Sequence, residues 1–142
     1  METRRQAHCV YRCEYHIVWI PRYRYAVLTK GVKEYLEVKL DEIRKWYPEI
    51  EYRERNIQDD HIHMLISFPP KMSISKVVEI LKSNTGRELK KKFEFLRKRY
   101  YGRGGIWSVG YFVSTVGLDE ETIKRYIRHQ EKEDLGQSKI AI

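Results

Sequence analysis

Asp59-Asp60-His61-Ile62-His63-Met64-Leu65-Ile66 reads as a polar turn leading into a strand apolar enough to be central. Pro69-Pro70 stops that strand. Side chains at i and i+2 of a strand share a face, so His61 and His63 project together, roughly 6.5–7 Å apart along the backbone. Two imidazoles at that separation can close on one divalent cation if a third ligand arrives from another element. The chain holds only five His, and a His-x-His triplet on its own is a weak signal. It gains weight from what the rest of the chain brings to it.

Outward from this strand, the N-terminal side reads β, α, β. His8 to Ile20 mixes Val, Tyr, Cys, Ile and Trp and stops at Pro21, a first strand. Gly31 to Tyr47 carries Val32, Tyr35, Leu36, Leu40 and Ile43 at helical spacing and ends before Pro48. Glu49 to Ile57 suits a strand with one wet face. On the C-terminal side, Ser73 to about Tyr100 is helical in period, with Asn84-Thr85-Gly86 as an expected interruption. A basic, Gly-rich loop over 97–105 leads to a last strand, Trp107 to Val116. The expected architecture is α+β, a ferredoxin-like (RRM-like) βαββαβ antiparallel sheet plus a C-terminal helix, one domain over 1–142.

That C-terminal helix is expected just after Gly117. Leu118, Ile123 and Ile127 give a partial apolar stripe, and Asp119, Glu120 and Glu121 load the first turn with negative charge. Tyr126 and Gln130 stand at i and i+4 and share a helix face. A tyrosine hydroxyl beside a carboxamide, facing two imidazoles on a strand, is the material of a metal-assisted phosphoryl-transfer site with a covalent tyrosine intermediate. Tyr126 is one of 11 tyrosines, so its claim rests on this context; otherwise it is a helix tyrosine packing its ring on the sheet. His129 is an alternative third ligand or proton carrier. His16 reads as a packing residue, and Asp59 and Asp60 as turn residues able to hydrogen-bond an imidazole.

With 28 Lys+Arg against 20 Asp+Glu, the net charge is +8 and the pI about 9.4. This balance favours a polyanionic partner, nucleic acid first. Arg22, Arg24, Lys82, Arg87, Lys90 and Lys91 are candidate phosphate contacts, with Tyr100, Tyr101 and Trp107 interleaved as stacking surfaces. No apolar run approaches the roughly 18–20 residues of a membrane span. Met1–His8 lacks the apolar stretch of a secretory signal. Cys9 and Cys13, about 13 Å apart if both lie in one strand, cannot bridge each other. A cytoplasmic, reducing location is expected.

Taken in order, Tyr15-His16-Ile17-Val18-Trp19, Tyr23-Arg24, Asp60-His61-Ile62-His63-Met64-Leu65-Ile66-Ser67, Leu81-Lys82-Ser83, Ile106-Trp107-Ser108-Val109-Gly110-Tyr111-Phe112-Val113, Thr115-Val116-Gly117 and Tyr126-Ile127 with Gln130 resemble the single-tyrosine HUH transposases of insertion sequences, the small TnpA type. The resemblance spans almost the whole chain. It implies a DNA transposase that cleaves and rejoins single-stranded DNA at imperfect hairpins near element ends, through a 5′-phosphotyrosine. In that reading Tyr126 is the nucleophile, and His61, His63 and Gln130 hold Mg²⁺ or Mn²⁺. It further implies a homodimer formed by joining sheets, with the tyrosine helix able to serve either subunit across Gly117. No nucleotide cofactor is expected, and no Gly-x-x-x-x-Gly-Lys loop is present. Imidazole ligands suit Mn²⁺ better than Mg²⁺. The alternatives are a related HUH endonuclease that processes chromosomal palindromes or initiates replication, or a non-catalytic nucleic-acid-binding module on the same fold. The Lys/Arg-Gly-Phe/Tyr signature of an RNA-recognition sheet is absent, which weakens the last.

Overall fold

The computed structural model describes residues 3–6 and 9–136. Four strands form the main sheet: β3 (Tyr15–Trp19), β4 (Glu51–Gln58), β5 (His61–Ser67) and β6 (Phe112–Ser114), in the spatial order β4-β5-β3-β6. Every pairing is antiparallel. With α1 (Lys30–Trp46) and α2 (Ile74–Lys92) as crossovers, this is the ferredoxin-like βαββαβ arrangement expected from the sequence.

The period-2 alternation sorts the sheet into two faces. Ile17 and Trp19 of β3 and Ile62, Met64 and Ile66 of β5 are fully buried. They meet Val32, Leu36, Leu40 and Ile43 of α1 and Val77, Val78, Leu81 and Leu89 of α2. Each such side chain stabilises the fold by about 1.5–3 kcal/mol relative to exposure. The opposite face carries His16 and Val18, His61 and His63, and Phe112 and Ser114, placed in rows by the pairings Val18↔His63, His16↔Ser114 and Val18↔Phe112. The helix α4 (Glu120–Asp134) lies over this second face, with Tyr126 against Phe112 (ring centroids 5.7 Å) and Ile127 buried. Asp119 caps α4 by accepting the Thr122 N–H at 2.8 Å.

Four boundaries differ from the sequence reading. The long first strand divides into β2 (Cys9–Tyr11) and β3, with Arg12–Glu14 between them, and β2 pairs with β1 (Arg4–Gln6) as a separate hairpin. His8, where the sequence reading starts that strand, lies outside the described residues. Arg4 ties the hairpin to the main sheet, donating to Ser67 Oγ and to the Glu49 carbonyl. Cys9 and Cys13 are both free thiols. Second, α2 runs unbroken through Asn84-Thr85-Gly86. Thr85 Oγ1 donates back to the Leu81 carbonyl, and Gly86 lets Trp107 approach, since a Cβ there would lie 3.1 Å from Trp107 Cδ1. The break comes instead at Phe93, extended at φ −110°, ψ 113°, whose ring packs edge-on to Tyr35 before α3 (Glu94–Arg99) begins.

Third, the last strand is only Phe112–Ser114, apart from an isolated bridge between Trp107 and Pro21. Lys82 explains this. Its ammonium donates to the carbonyls of Ser108 (2.6 Å) and Gly110 (3.0 Å), replacing ladder partners with a side chain. Fourth, β4 starts at Glu51 and carries a bulge between Tyr52 and Glu54.

Candidate active site and its relatives

His61 and His63 stand on the α4 side of β5 and line a groove of about 580 Å³, which Asn56, Ile123 and Ile127 also line. The Asp60 carboxylate accepts from His61 Nδ1 at 2.9 Å. This fixes the imidazole so that Nε2 faces outward as a lone-pair donor, the usual role of a carboxylate behind a ligating histidine. Arg24 Nε donates to the other Asp60 oxygen at 2.8 Å, and Arg24 also pairs with Glu131 of α4 at 3.4 Å. Burial opposes ionisation of Asp60, but the hydrogen bonds from His61 and Arg24 outweigh it and hold the carboxyl below its ordinary range. Burial, and then the neighbouring His16, push His63 below the ordinary imidazole value. It is therefore neutral near pH 7, the form that ligates metal.

His16 is the residue whose part the sequence reading missed. Its Nδ1 lies 3.1 Å from His63 Nε2, the rings tilted by 42°. The signal was present: β3 and β5 are neighbours in this fold, and His16 falls on the histidine face.

The other expected site residues are placed differently. Tyr126 packs on Phe112, two strands from His63 across the sheet, and its hydroxyl is buried without a hydrogen-bond partner among the described residues. Burial, and then the charge of Asp134, raise its pKa well above that of an ordinary tyrosine. Gln130 is 9% exposed, its Nε2 donating to Asp134 Oδ1 at 3.2 Å and its Oε1 seated against Gly110. Neither side chain lines the histidine groove. His129 faces outward, 3.8 Å from Glu133. Thus the two imidazoles fit as one half of a divalent-cation site, one of them already oriented by Asp60. The carboxamide is turned elsewhere in this arrangement.

Asp134 is what holds α4 there. One oxygen accepts from Ser108 Oγ (2.8 Å) and Gln130 Nε2, the other from the Tyr23 backbone N–H (3.0 Å). That N–H belongs to a 3₁₀ turn, Arg22–Arg24, in which Tyr23 (φ 62°) and Arg24 (φ 57°) are both left-handed. Two successive non-glycine residues in that region cost on the order of 1–3 kcal/mol each. The Asp134 and Asp60 carboxylates offset that cost.

Among the candidate phosphate contacts, the Lys82 ammonium sits among the carbonyl oxygens of Ser108, Val109 and Gly110, and burial lowers its pKa to about 8. Lys90 donates to the Gly102 and Gly104 carbonyls, shaping the basic loop. Arg87 and Lys91 are exposed on α2, Arg87 near Asn84 and Glu88. Arg24 is committed to its two carboxylates. No helix among the described residues is long and apolar enough to cross a membrane.

Comparison with known proteins places the fold and the family. The family model described as "Transposase IS200 like" matches residues 9–130. The transposase for insertion sequence element IS200 of Salmonella typhimurium is 36% identical over 128 residues, covering 90% of this chain and 83% of that protein. The ISDra2 transposase TnpA of Deinococcus radiodurans is 29% identical, covering 92% of each chain. A crystal structure of a Deinococcus radiodurans transposase superposes with a TM-score of 0.76 at 28% identity, covering 89% of this chain and 97% of that one. A REP-associated tyrosine transposase bound to a REP hairpin shares the fold, with a TM-score of 0.56 at 14% identity. The chain belongs to the IS200-like transposases, the single-tyrosine transposases of insertion sequences.

Proposed function

We propose that this transposase cuts and rejoins single-stranded DNA at hairpin-marked element ends through a covalent bond to Tyr126. The observation that carries the reading is the His61–His63 pair, with His61 oriented by Asp60, in an open groove beneath the helix that bears the tyrosine. The chemistry is a transesterification. Tyr126 Oη forms a bond to phosphorus as the bond to the 3′ oxygen breaks, leaving a 5′-phosphotyrosine and a 3′-hydroxyl, the proton lost by the phenol balancing the one the departing 3′ oxygen takes up. A 3′-hydroxyl attacking that link reverses the step and joins strands without ATP. A bound Mg²⁺ or Mn²⁺ supplies Lewis-acid stabilisation of charge on the scissile phosphate. His61 and His63 would hold it, with Gln130 as third ligand.

In the docked arrangement Tyr126 is protonated, buried and without an acceptor. Reaction therefore requires α4 to leave its seat, within one chain or towards a second copy in a homodimer. We place that movement at Gly117, whose surroundings are open: a Cβ there would meet nothing within 4 Å. The test mixes the protein with single-stranded hairpin DNA from the flanks of its own gene, with Mn²⁺ or EDTA, on a denaturing gel. The expected result is a metal-dependent, protease-sensitive shifted band that Tyr126→Phe abolishes. A Phe variant that still forms the adduct would overturn the assignment.

A further inference from the structure

On the far side of the strained turn from the histidine groove lies a second recess of about 340 Å³, which the chemistry of cleavage does not use. Its volume is at the lower end of small-ligand sites. Tyr25 stands at its centre, 5.6 Å from the Tyr23 ring and 5.7 Å from the Tyr100 ring. Two guanidinium groups enter it. Arg99 lies over Tyr25 at 4.6 Å, and Arg22 over Tyr23 at 5.4 Å. Neither has a carboxylate partner among the described residues, whereas Arg4, Arg24, Arg55 and Arg128 each have one. The Nε of Arg22 is buried with no hydrogen-bond partner among the described residues. The backbone seats Arg22 there: its carbonyl accepts from Tyr100 Oη, its N–H donates to the Ile106 carbonyl, and Nη1 would lie 3.2 Å from any Cβ at position 104, which is Gly. At the rim Tyr101 is 86% exposed, a large aromatic ring with nothing covering it.

We propose that this recess binds one unpaired nucleotide of the single strand, its base on Tyr101 and Tyr25 and its phosphate between Arg22 and Arg99. A nucleotide is the ligand that matches both halves of the chemistry, because every base offers a π-face and every linkage an anion. A lone inorganic anion would leave the tyrosines unused. The recess is joined to the site through one turn: the turn that carries Arg22 continues into Arg24, which holds Asp60, the partner of His61. The strand is thereby gripped at a fixed place relative to the histidines. The proposal rests on the single-strand reading above but not on the tyrosine chemistry.

The experiment uses the full chain and a hairpin-free oligodeoxythymidine 12-mer containing 5-iodouracil, cross-linked by ultraviolet light and mapped by peptide mass spectrometry. Cross-links at Tyr101 or Tyr25 are expected. By fluorescence anisotropy, Tyr101→Ala should weaken binding of the same 12-mer about 5- to 150-fold, the worth of one base–aromatic stack, with Tyr101→Phe restoring it. Arg99→Gln should lower the slope of log K against log salt by about 0.7. Tyr101 is exposed, so its substitution leaves the fold intact. Cross-links confined to other segments, no binding of the 12-mer, or unchanged affinity in both variants would overturn the proposal. Adduct formation on hairpin DNA is read separately: cross-links without adduct would sink the tyrosine mechanism alone, and adduct without these cross-links the recess alone.

Discussion

Replacing Tyr126 by Phe should stabilise the protein while abolishing its covalent chemistry, and the two effects share one cause. The hydroxyl is buried against Phe112 and has no hydrogen-bond partner among the described residues. A buried polar group left unsatisfied costs about 1–3 kcal/mol, and Phe removes the oxygen while keeping the ring contact. The expected gain is about 1 kcal/mol, or roughly 2–4 °C in Tm for a chain of this size. Thermal unfolding followed by circular dichroism, without DNA or metal, measures it. The adduct gel reads the activity on the same preparation. A Phe variant less stable than the parent by about 1 kcal/mol would show that the hydroxyl is satisfied in solution. The docked position of α4 would then be wrong, even if the variant were inactive.

Three other outcomes follow from the geometry. Asp60→Asn should weaken Mn²⁺ binding, measured by electron paramagnetic resonance, by about 10- to 100-fold, as loss of a hydrogen-bond partner behind a ligating imidazole commonly does; unchanged affinity would make Asp60 a turn residue only. Gly110→Ala would put a Cβ 2.5 Å from Gln130 Oε1, moving the carboxamide at the end of that side chain off its bond to Asp134 at a cost of about 1 kcal/mol, with faster proteolysis within α4; a stability equal to the parent's would refute that close packing. Lys82 has a folded pKa of about 8 against an ordinary 10.5, so the folded state disfavours its charge. The penalty is fully present below pH 8 and is relieved as pH rises towards 10.5. The stability of Lys82→Met relative to the parent should therefore fall between pH 8 and 10, and a flat difference would show that the three carbonyls compensate the buried charge.

The fold was largely legible because its signals are redundant. In β5 and α1 the hydrophobic period, the flanking Pro residues and the element lengths agree, and each lies within two residues of where it was expected. The misreadings came where a side chain did the work of backbone. Lys82 ends the ladder early at 108–110, Arg4 fastens the separate N-terminal hairpin to Ser67 of the main sheet, and Trp107 makes a packing residue of Gly86, which reads locally as a helix breaker. None of these contacts is local, so no window of sequence contains them. At the site, the i, i+2 rule places His61 and His63 together on one face. It says nothing of which row of the sheet α4 covers, and that row separates Tyr126 from them. Arg22 and Arg24, two positions apart and alike in sequence, have different fates because the left-handed turn sends one to carboxylates and leaves the other among tyrosines.

The fastening of α4 has a mechanical consequence. The helix is secured at its distal end, by Asp134, and its proximal end follows Gly117, where a side chain would meet open space, so that a pivot there would make it a lever latched at the tip. Tyr126 sits about halfway along, nine residues from the fulcrum, an arm of about 13 Å at 1.5 Å per residue. A pivot of about 30° would carry it about 7 Å, comparable to the spacing of one and a half strands. Sequence drift around 132–136 would thus set how often the tyrosine is exposed without touching a single group that meets DNA.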